Sequence, residues 1–292
     1  MRAGGHKMNI KIVTDSTSDL PQEVAQDLGI SVVPLFINIG DKGYLDGVEI
    51  TRKDFYTNLP NYDVHPTTGT PGTDAFTQVY KKLANEGASE ILSIHISKSL
   101  SATVEVAESA AMDFEQVPVV VRDSQQLSTG TGFQVETAAR MAQDGKTIEE
   151  IIKALDDMAE RSFVAARLDT LEYLRRSGRM NRFMTGLGSL LQLKPILTMK
   201  NGLPGSERVR TAIKAEALLI KMLEEYQPIE RFALLHTNAP TEAEGLRSKV
   251  SQIIPEGKVY SMDITPVIGA HIGPGAIGYA VISKNAVGKK NN

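Results

Sequence analysis

Hydrophobic and polar positions along this chain follow two alternating rhythms. Residues 9–14 (NIKIVT) alternate with the two-residue period of a half-buried strand, and Ile30–Ile39, Ile91–Ile96 and Val117–Arg122 are β-branched runs of strand length. Between these runs, apolar residues recur three and four positions apart. This spacing predicts helices from Pro21 to Gly29, Thr51–Leu59, Asp74–Glu86, Thr129–Gln143 and Thr147–Arg161. Thr147 and Glu150 have the spacing of a capping box. Pro66–Thr73 is rich in Pro, Gly and Thr and reads as a loop. Strand followed by helix, several times over, predicts an α/β fold with a mostly parallel sheet and flanking helices.

The second half has a different grammar. Phe163–Leu168 reads as a short strand and Thr170–Arg176 as a helix, followed by an apolar, glycine-dotted segment, Arg182–Leu193. Pro195–Met199 runs into Lys200-Asn201-Gly202, and Asn-Gly between apolar runs is a strong hairpin signal. Val209–Tyr226 is an amphipathic helix. Phe232–Thr237, Glu242–Ile253 and Val259–Ile264 make a β-α-β unit whose helix is introduced by Thr241 with Glu244, and Ala276–Ser283 is a last strand. A boundary near Arg161 divides the chain into an N-terminal α/β domain, residues 8–161, and a second α/β domain, residues 162–288.

The chain has 292 residues, 41% of them hydrophobic and 23% charged, which is ample for a buried core. A net charge of −3, with the two signs interspersed, offers no nucleic-acid footprint. The absence of cysteine excludes disulfides and thiolate metal sites, and fits a reducing compartment. No apolar stretch approaches the roughly 18 residues of a transmembrane helix, and residues 1–7 lack the apolar core of a signal peptide. A cytoplasmic protein without integral membrane association is expected.

Three hydroxyl-rich clusters fall at strand ends: Asp15–Ser18, Thr67–Thr73 and Ser97–Thr103. The third lies where a strand hands over to a helix, and unpaired N–H groups and the helix dipole favour an anion at such a place. Capping by Ser99 or Ser101 is the alternative. His271 sits in Gly269-Ala270-His271-Ile272-Gly273-Pro274-Gly275, where small and rigid residues imply close backbone approach. His95 and His236, inside apolar strands, read as core histidines. Four arginines fall within residues 175–182, which suits either a helix C-terminus or an anionic partner. No P-loop, Gly-x-Ser-x-Gly elbow or metal-ligand spacing is present.

Taken together, these segments resemble the DegV family of bacterial fatty-acid-binding proteins. The matching motifs are Thr14–Leu20, Thr67-Thr68-Gly69-Thr70-Pro71, Ile96–Thr103, Thr170–Leu174, Ser177-Gly178-Arg179, residues 188–197, Val209-Arg210 and Gly269–Gly278, in the family's order. The resemblance implies a two-domain protein that buries one long-chain, palmitate-like fatty acid, needs no cofactor and is not itself an enzyme. It implies carboxylate binding by Thr68, Ser101 and His271. Thr67 and Ser97 are further candidates beside them, and Ser97 and Ser99 are equally placed to be caps. A separate fatty acid kinase is implied as partner, phosphorylating the bound carboxylate to an acyl phosphate for phospholipid metabolism, with Arg179 and Arg210 in docking. Two departures stand out: Gly69-Thr70 replaces the family's Ser-Gln, removing one hydroxyl near the head group, and Ala102 replaces a turn glycine, a strain if that turn needs φ > 0. The rival reading from another class is a hydrolase or transferase using Ser101 and His271.

Overall fold

The structure is a computed structural model that describes residues 9–183, 193–257 and 259–286. The first half runs β1 (Ile10–Asp15), α1 (Gln22–Asp27), β2 (Ser31–Val33), β3 (Phe36–Ile39), β4 (Lys42–Leu45), α2 (Arg52–Asn58), β5 (Thr67–Gly69) and α3 (Thr73–Asn85). It continues through β6 (Glu90–His95), α4 (Thr103–Met112), β7 (Val119–Asp123), α5 (Thr129–Gln143) and α6 (Ile148–Arg161). Strands β2-β1-β6-β7 form a wholly parallel sheet, as the alternation of strand and helix predicts. Its two faces separate along β6. Leu92 and Ile94 pack with Val135, Ile151 and Leu155 of α5 and α6, whereas Ile91 packs with Phe76 and Tyr80 of α3 and Ala107 of α4. The Thr147–Glu150 capping box forms as expected.

Ile30–Ile39 is not one strand but two in different sheets. β2 extends the parallel sheet, while β3 leaves it to pair with β4 and β5. Pro34 lies at the break, where its missing N–H and fixed φ cannot continue a ladder. The Pro66–Thr73 segment is likewise more ordered than its composition predicts. Thr67–Gly69 is strand β5, paired antiparallel with Phe36–Asn38.

The second half runs β8 (Ser162–Arg167), α7 (Glu172–Arg176), α8 (Met180–Phe183), β9 (Ile196–Lys200), β10 (Leu203–Glu207) and α9 (Ala212–Glu224). Then come β11 (Ile229–His236), α10 (Pro240–Val250), β12 (Tyr260–Asp263), α11 (Pro266–Ile272) and β13 (Ile277–Ser283). Most of the glycine-dotted Arg182–Leu193 segment lies outside the described residues. The six strands lie in the order β10-β9-β8-β13-β11-β12. Only β11–β12 is parallel, joined by α10 in the predicted β-α-β unit. The Asn201-Gly202 turn has positive φ at both residues, as a two-residue hairpin of primed type requires. The Thr241–Glu244 box does not form: α10 starts at Pro240, whose ring suits the first helical position.

Strand alternation divides this sheet into two packed faces. Phe163 and Ala165 turn toward α9 and α10, with Leu219, Leu223 and Leu246. Val164, Leu168, Leu197, Met199 and Leu235 turn to the other face, where Ile264, Ile268 and Ile272 also pack. That second face walls the site.

Candidate ligand-binding site

Residues of both halves enclose a cavity of about 280 Å³ that is apolar over most of its length and polar at one end. The apolar wall includes Ala166, Leu197, Met199 and Leu235 on one side and Leu35, Ile96 and Leu127 on the other. At the polar end stand Thr68, Thr70, Ser101 and His271, joined by Arg179 and Arg182.

Each polar group is delivered by a different element. Thr68 projects from β5, and its hydroxyl lies 3.0 Å from His271 Nε2. His271 ends α11, and small residues let that helix sit deep. A Cβ on Gly269 would fall 2.2 Å from the Tyr56 hydroxyl, and one on Gly273 would fall 2.2 Å from the Tyr173 ring. The close backbone approach expected around His271 is therefore to two tyrosines. Ser101 Oγ lies 2.8 Å from Thr103 Oγ1, and Thr70 Oγ1 lies 3.5 Å from Ser101 Oγ and 3.3 Å from Thr103 Oγ1.

Ser101 does not cap α4. The residue in the N-cap position is Ala102, which makes no side-chain cap hydrogen bond. Among the described residues the positive end of the helix has no side-chain cap and lies beside three hydroxyls, an arrangement suited to an oxyanion. Ala102 has φ −82°, so the feared strain at this turn does not arise. The hydroxyl lost by Gly69-Thr70 relative to the family pattern is present after all, because Thr70 supplies one from the next position. Its side-chain direction depends on β5, which the composition of the loop conceals.

His271 lines the cavity, with burial foremost holding its pKa down to about 3, aided by Arg179, His65 and Arg182. It is a neutral imidazole at ordinary pH. Its Nδ1 is buried with no hydrogen-bond partner among the described residues, so Nε2–H donating to Thr68 leaves the Thr68 hydrogen free to point into the cavity. Arg179 donates to the Ser177 carbonyl at 2.9 Å, and burial, followed by neighbouring Arg182, pushes its pKa down. Arg182 reaches the Ser99 carbonyl at 2.8 Å. Sequence spacing gave no sign that Arg182 would reach this turn, because the contact joins residues 83 apart.

Two of the named hydroxyls stand elsewhere. Thr67 is exposed, pointing opposite to Thr68 as strand alternation demands. Ser97 is fully buried and holds the turn, its Oγ accepting from Ser99 N at 3.3 Å. Neither lines the cavity. Arg210 is exposed between β10 and α9.

Beneath the turn lies a second polar constellation. Tyr80 donates to Ser93 at 2.9 Å, Ser93 lies 2.7 Å from His95 Nε2, and His95 Nδ1 lies 2.9 Å from Asp15 Oδ2. Asp15 also accepts from Thr17 N and Ile96 N. The set has the residue types of a nucleophilic triad, but all of it is buried with zero exposure, and Ser93 and His95 do not reach the cavity. Burial raises the Asp15 carboxyl, and its bonds to His95, Thr17 and Ile96 more than reverse this, leaving it below the ordinary value. His95 is a satisfied core histidine, as its apolar strand predicts.

A two-part α/β scaffold with an apolar cavity ending in hydroxyls, a neutral imidazole and a helix N-terminus defines a binding protein suited to an amphipathic anion. This chain belongs to the DegV family, whose family model, described as "uncharacterised protein, DegV family", matches residues 9–284. A DegV domain-containing protein of Listeria innocua is 35% identical, covering 92% of this chain and 96% of its own length. Among solved structures, a DegV family protein from Thermus thermophilus described for its fatty acid binding is 35% identical with a TM-score of 0.86, covering 94% of this chain and 100% of its own. DegV from Bacillus subtilis, described as a fatty acid binding protein, is 31% identical with a TM-score of 0.86, covering 95% and 100%.

Proposed function

We propose that this protein binds one long-chain fatty acid, its tail in the cavity and its carboxylate against Thr68, Ser101, Thr70 and His271. The carrying observation is the polarity gradient of the cavity: apolar walls end in Thr68, Thr70, Ser101 and neutral His271, flanked by Arg179 and Arg182, with Thr70 and Ser101 at the amino end of α4. Burying about fourteen methylenes at roughly 0.8 kcal/mol each gives on the order of 11 kcal/mol before ordering costs, so the tail dominates affinity. The head group adds about 1.5–3 kcal/mol per charge-assisted bond, offset by desolvation. In this reading residues 8–161 supply the head-group loops and residues 162–288 most of the acyl wall.

The same reading makes the protein a cytoplasmic carrier that presents its carboxylate to a separate fatty acid kinase, for conversion to an acyl phosphate used in phospholipid metabolism. Neutral hydroxyls suit that task, because they hold a carboxylate without permanently pairing its charge, and the arginines beside them donate to the Ser177 and Ser99 carbonyls. Arg179, at the polar end, and exposed Arg210 are the docking residues of this proposal. A carrier is favoured over a serine hydrolase by the hydrogen bonding. Ser101 Oγ meets Thr103 and Thr70, while His271 Nε2 meets Thr68, so the histidine is engaged with a different hydroxyl.

The test is a fatty-acid titration of delipidated protein with the Ser101→Ala and Thr68→Ala variants. Each is expected to weaken binding about tenfold, the cost of one charge-assisted bond less its desolvation; Ser101→Ala should leave the melting temperature unchanged, whereas Thr68→Ala should lower it, because His271 Nε2 loses its partner. Unchanged affinity and unchanged phosphorylation in both variants would remove the head-group assignment.

A further inference from the structure

The apolar part of the cavity is graded in a way the family pattern does not address. Successive inward-facing residues of β8 are Leu168 just beyond the strand, then Ala166, then Val164, each two residues and roughly 6–7 Å deeper than the last. At the Ala166 level the sheet is low only in the middle, between Leu197 of β9 and Leu235 of β11, which both line the cavity. The β13 partner of Ala166 is Gly278, where a Cβ would fall 2.0 Å from the Ala165 carbonyl oxygen, so no side chain fits there. One level deeper the middle fills, because Val164 takes the place of Ala166 on β8, beside Met199 of β9 and Ala280 of β13. Val164 and Met199 both line the cavity, and Ala280 does not. Val164 is held from behind by α5: a Cβ on Gly130 would fall 2.8 Å from Val164 Cγ2, so that helix is in close contact and the residue cannot retreat. Met199 has zero exposure.

We infer that Val164 and Met199 form the end stop for the methyl end of the acyl chain, and that the Ala166–Gly278 gap is the passage leading to it. This rests on the fatty-acid reading and adds to it a chain-length limit set by named side chains. Val164 is the fixed part of the stop. Met199, unbranched and with three rotatable bonds, is the adjustable part that closes on whatever length arrives.

The experiment is competition binding of saturated fatty acids of about twelve to twenty carbons to the delipidated full chain and two variants. Met199→Ala deepens the cavity. It should favour chains two carbons longer than the wild-type optimum by roughly tenfold, the value of two buried methylenes. Ala166→Val moves the stop one level toward the polar end. It should weaken binding of the wild-type optimum at least tenfold and shift the optimum to shorter chains. Because the two variants predict opposite shifts, either one decides the matter if the other fails to fold. A wild-type optimum retained in the folded variants overturns the end stop while leaving fatty-acid binding intact. Absence of binding by the wild type across the whole series overturns the underlying reading.

Discussion

Replacing Asp15 by alanine should destabilise the protein by roughly 3–5 kcal/mol, a large share of the stability of an ordinary domain. The carboxylate has zero exposure and receives Thr17 N at 2.9 Å, Ile96 N at 3.2 Å and His95 Nδ1 at 2.9 Å. Removing it leaves several buried donors without partners, each costing about 1–3 kcal/mol, and none can turn to water. The damage extends to the site, because Thr17 and Ile96 both line the cavity. Urea unfolding at neutral pH measures the effect, and a loss below about 1 kcal/mol would show that the network carries little. Ser93→Ala, which interrupts the same chain away from the carboxylate, should cost less.

The second large effect is an acid sensitivity centred on His271. In the folded, ligand-free protein burial lowers its pKa to about 3, while an unfolded histidine titrates near 6.5. Between these values the unfolded chain binds more protons than the native one, so stability rises with pH and is lost as pH falls from 6.5 toward 3. The loss reaches about 2 kcal/mol by pH 5, and the two pKa values set a limit of roughly 4–5 kcal/mol. Asp19 works in the opposite direction. Burial raises its carboxyl to about 6 in spite of Arg52, so the folded protein takes up its proton first and gains stability as pH falls through 6. Whole-protein stability therefore masks part of the His271 contribution. The difference between wild type and His271→Gln cancels Asp19 and isolates it. That difference should move against the wild type by about 2 kcal/mol between pH 7.5 and 5, measured by urea unfolding of delipidated protein. A difference independent of pH would mean that His271 titrates normally. A bound carboxylate beside the imidazole would favour its charged form, so ligand should blunt the effect.

Most of the scaffold is legible in the amino-acid order, because strands and helices here follow local patterns. The parallel sheet, the Asn201-Gly202 hairpin and the β-α-β unit all rest on periodicity and turn chemistry within a few residues. What stayed hidden depended on tertiary partners. Pro34 divides an apparently continuous apolar run between two sheets, and the Thr67–Gly69 strand exists because β3 is there to pair with it. The same limit governs the site. Thr68, Ser101 and His271, which line the cavity, are marked in the sequence by strand ends, a strand–helix junction and a glycine-rich setting, together with a family resemblance. That Thr68 rather than Ser101 meets His271 is a contact between residues 203 apart, and no spacing rule reaches so far. Thr70 and Arg182 were missed for that reason. Thr67 and Ser97 share the right composition but face the wrong way, one by strand alternation and the other by holding its own turn.

In the function proposed above, the cavity holds an acyl chain without a covalent bond. This is tested most directly by mass spectrometry of the purified protein, first intact under native conditions and then after denaturing extraction. The expected result is a mass increment of one long-chain fatty acid per chain, recovered unmodified in the extract, with no covalent adduct on Ser101. A protein that carries no acyl ligand and takes up none when offered it, or whose Ser101 is labelled by an activated-serine probe, would contradict it.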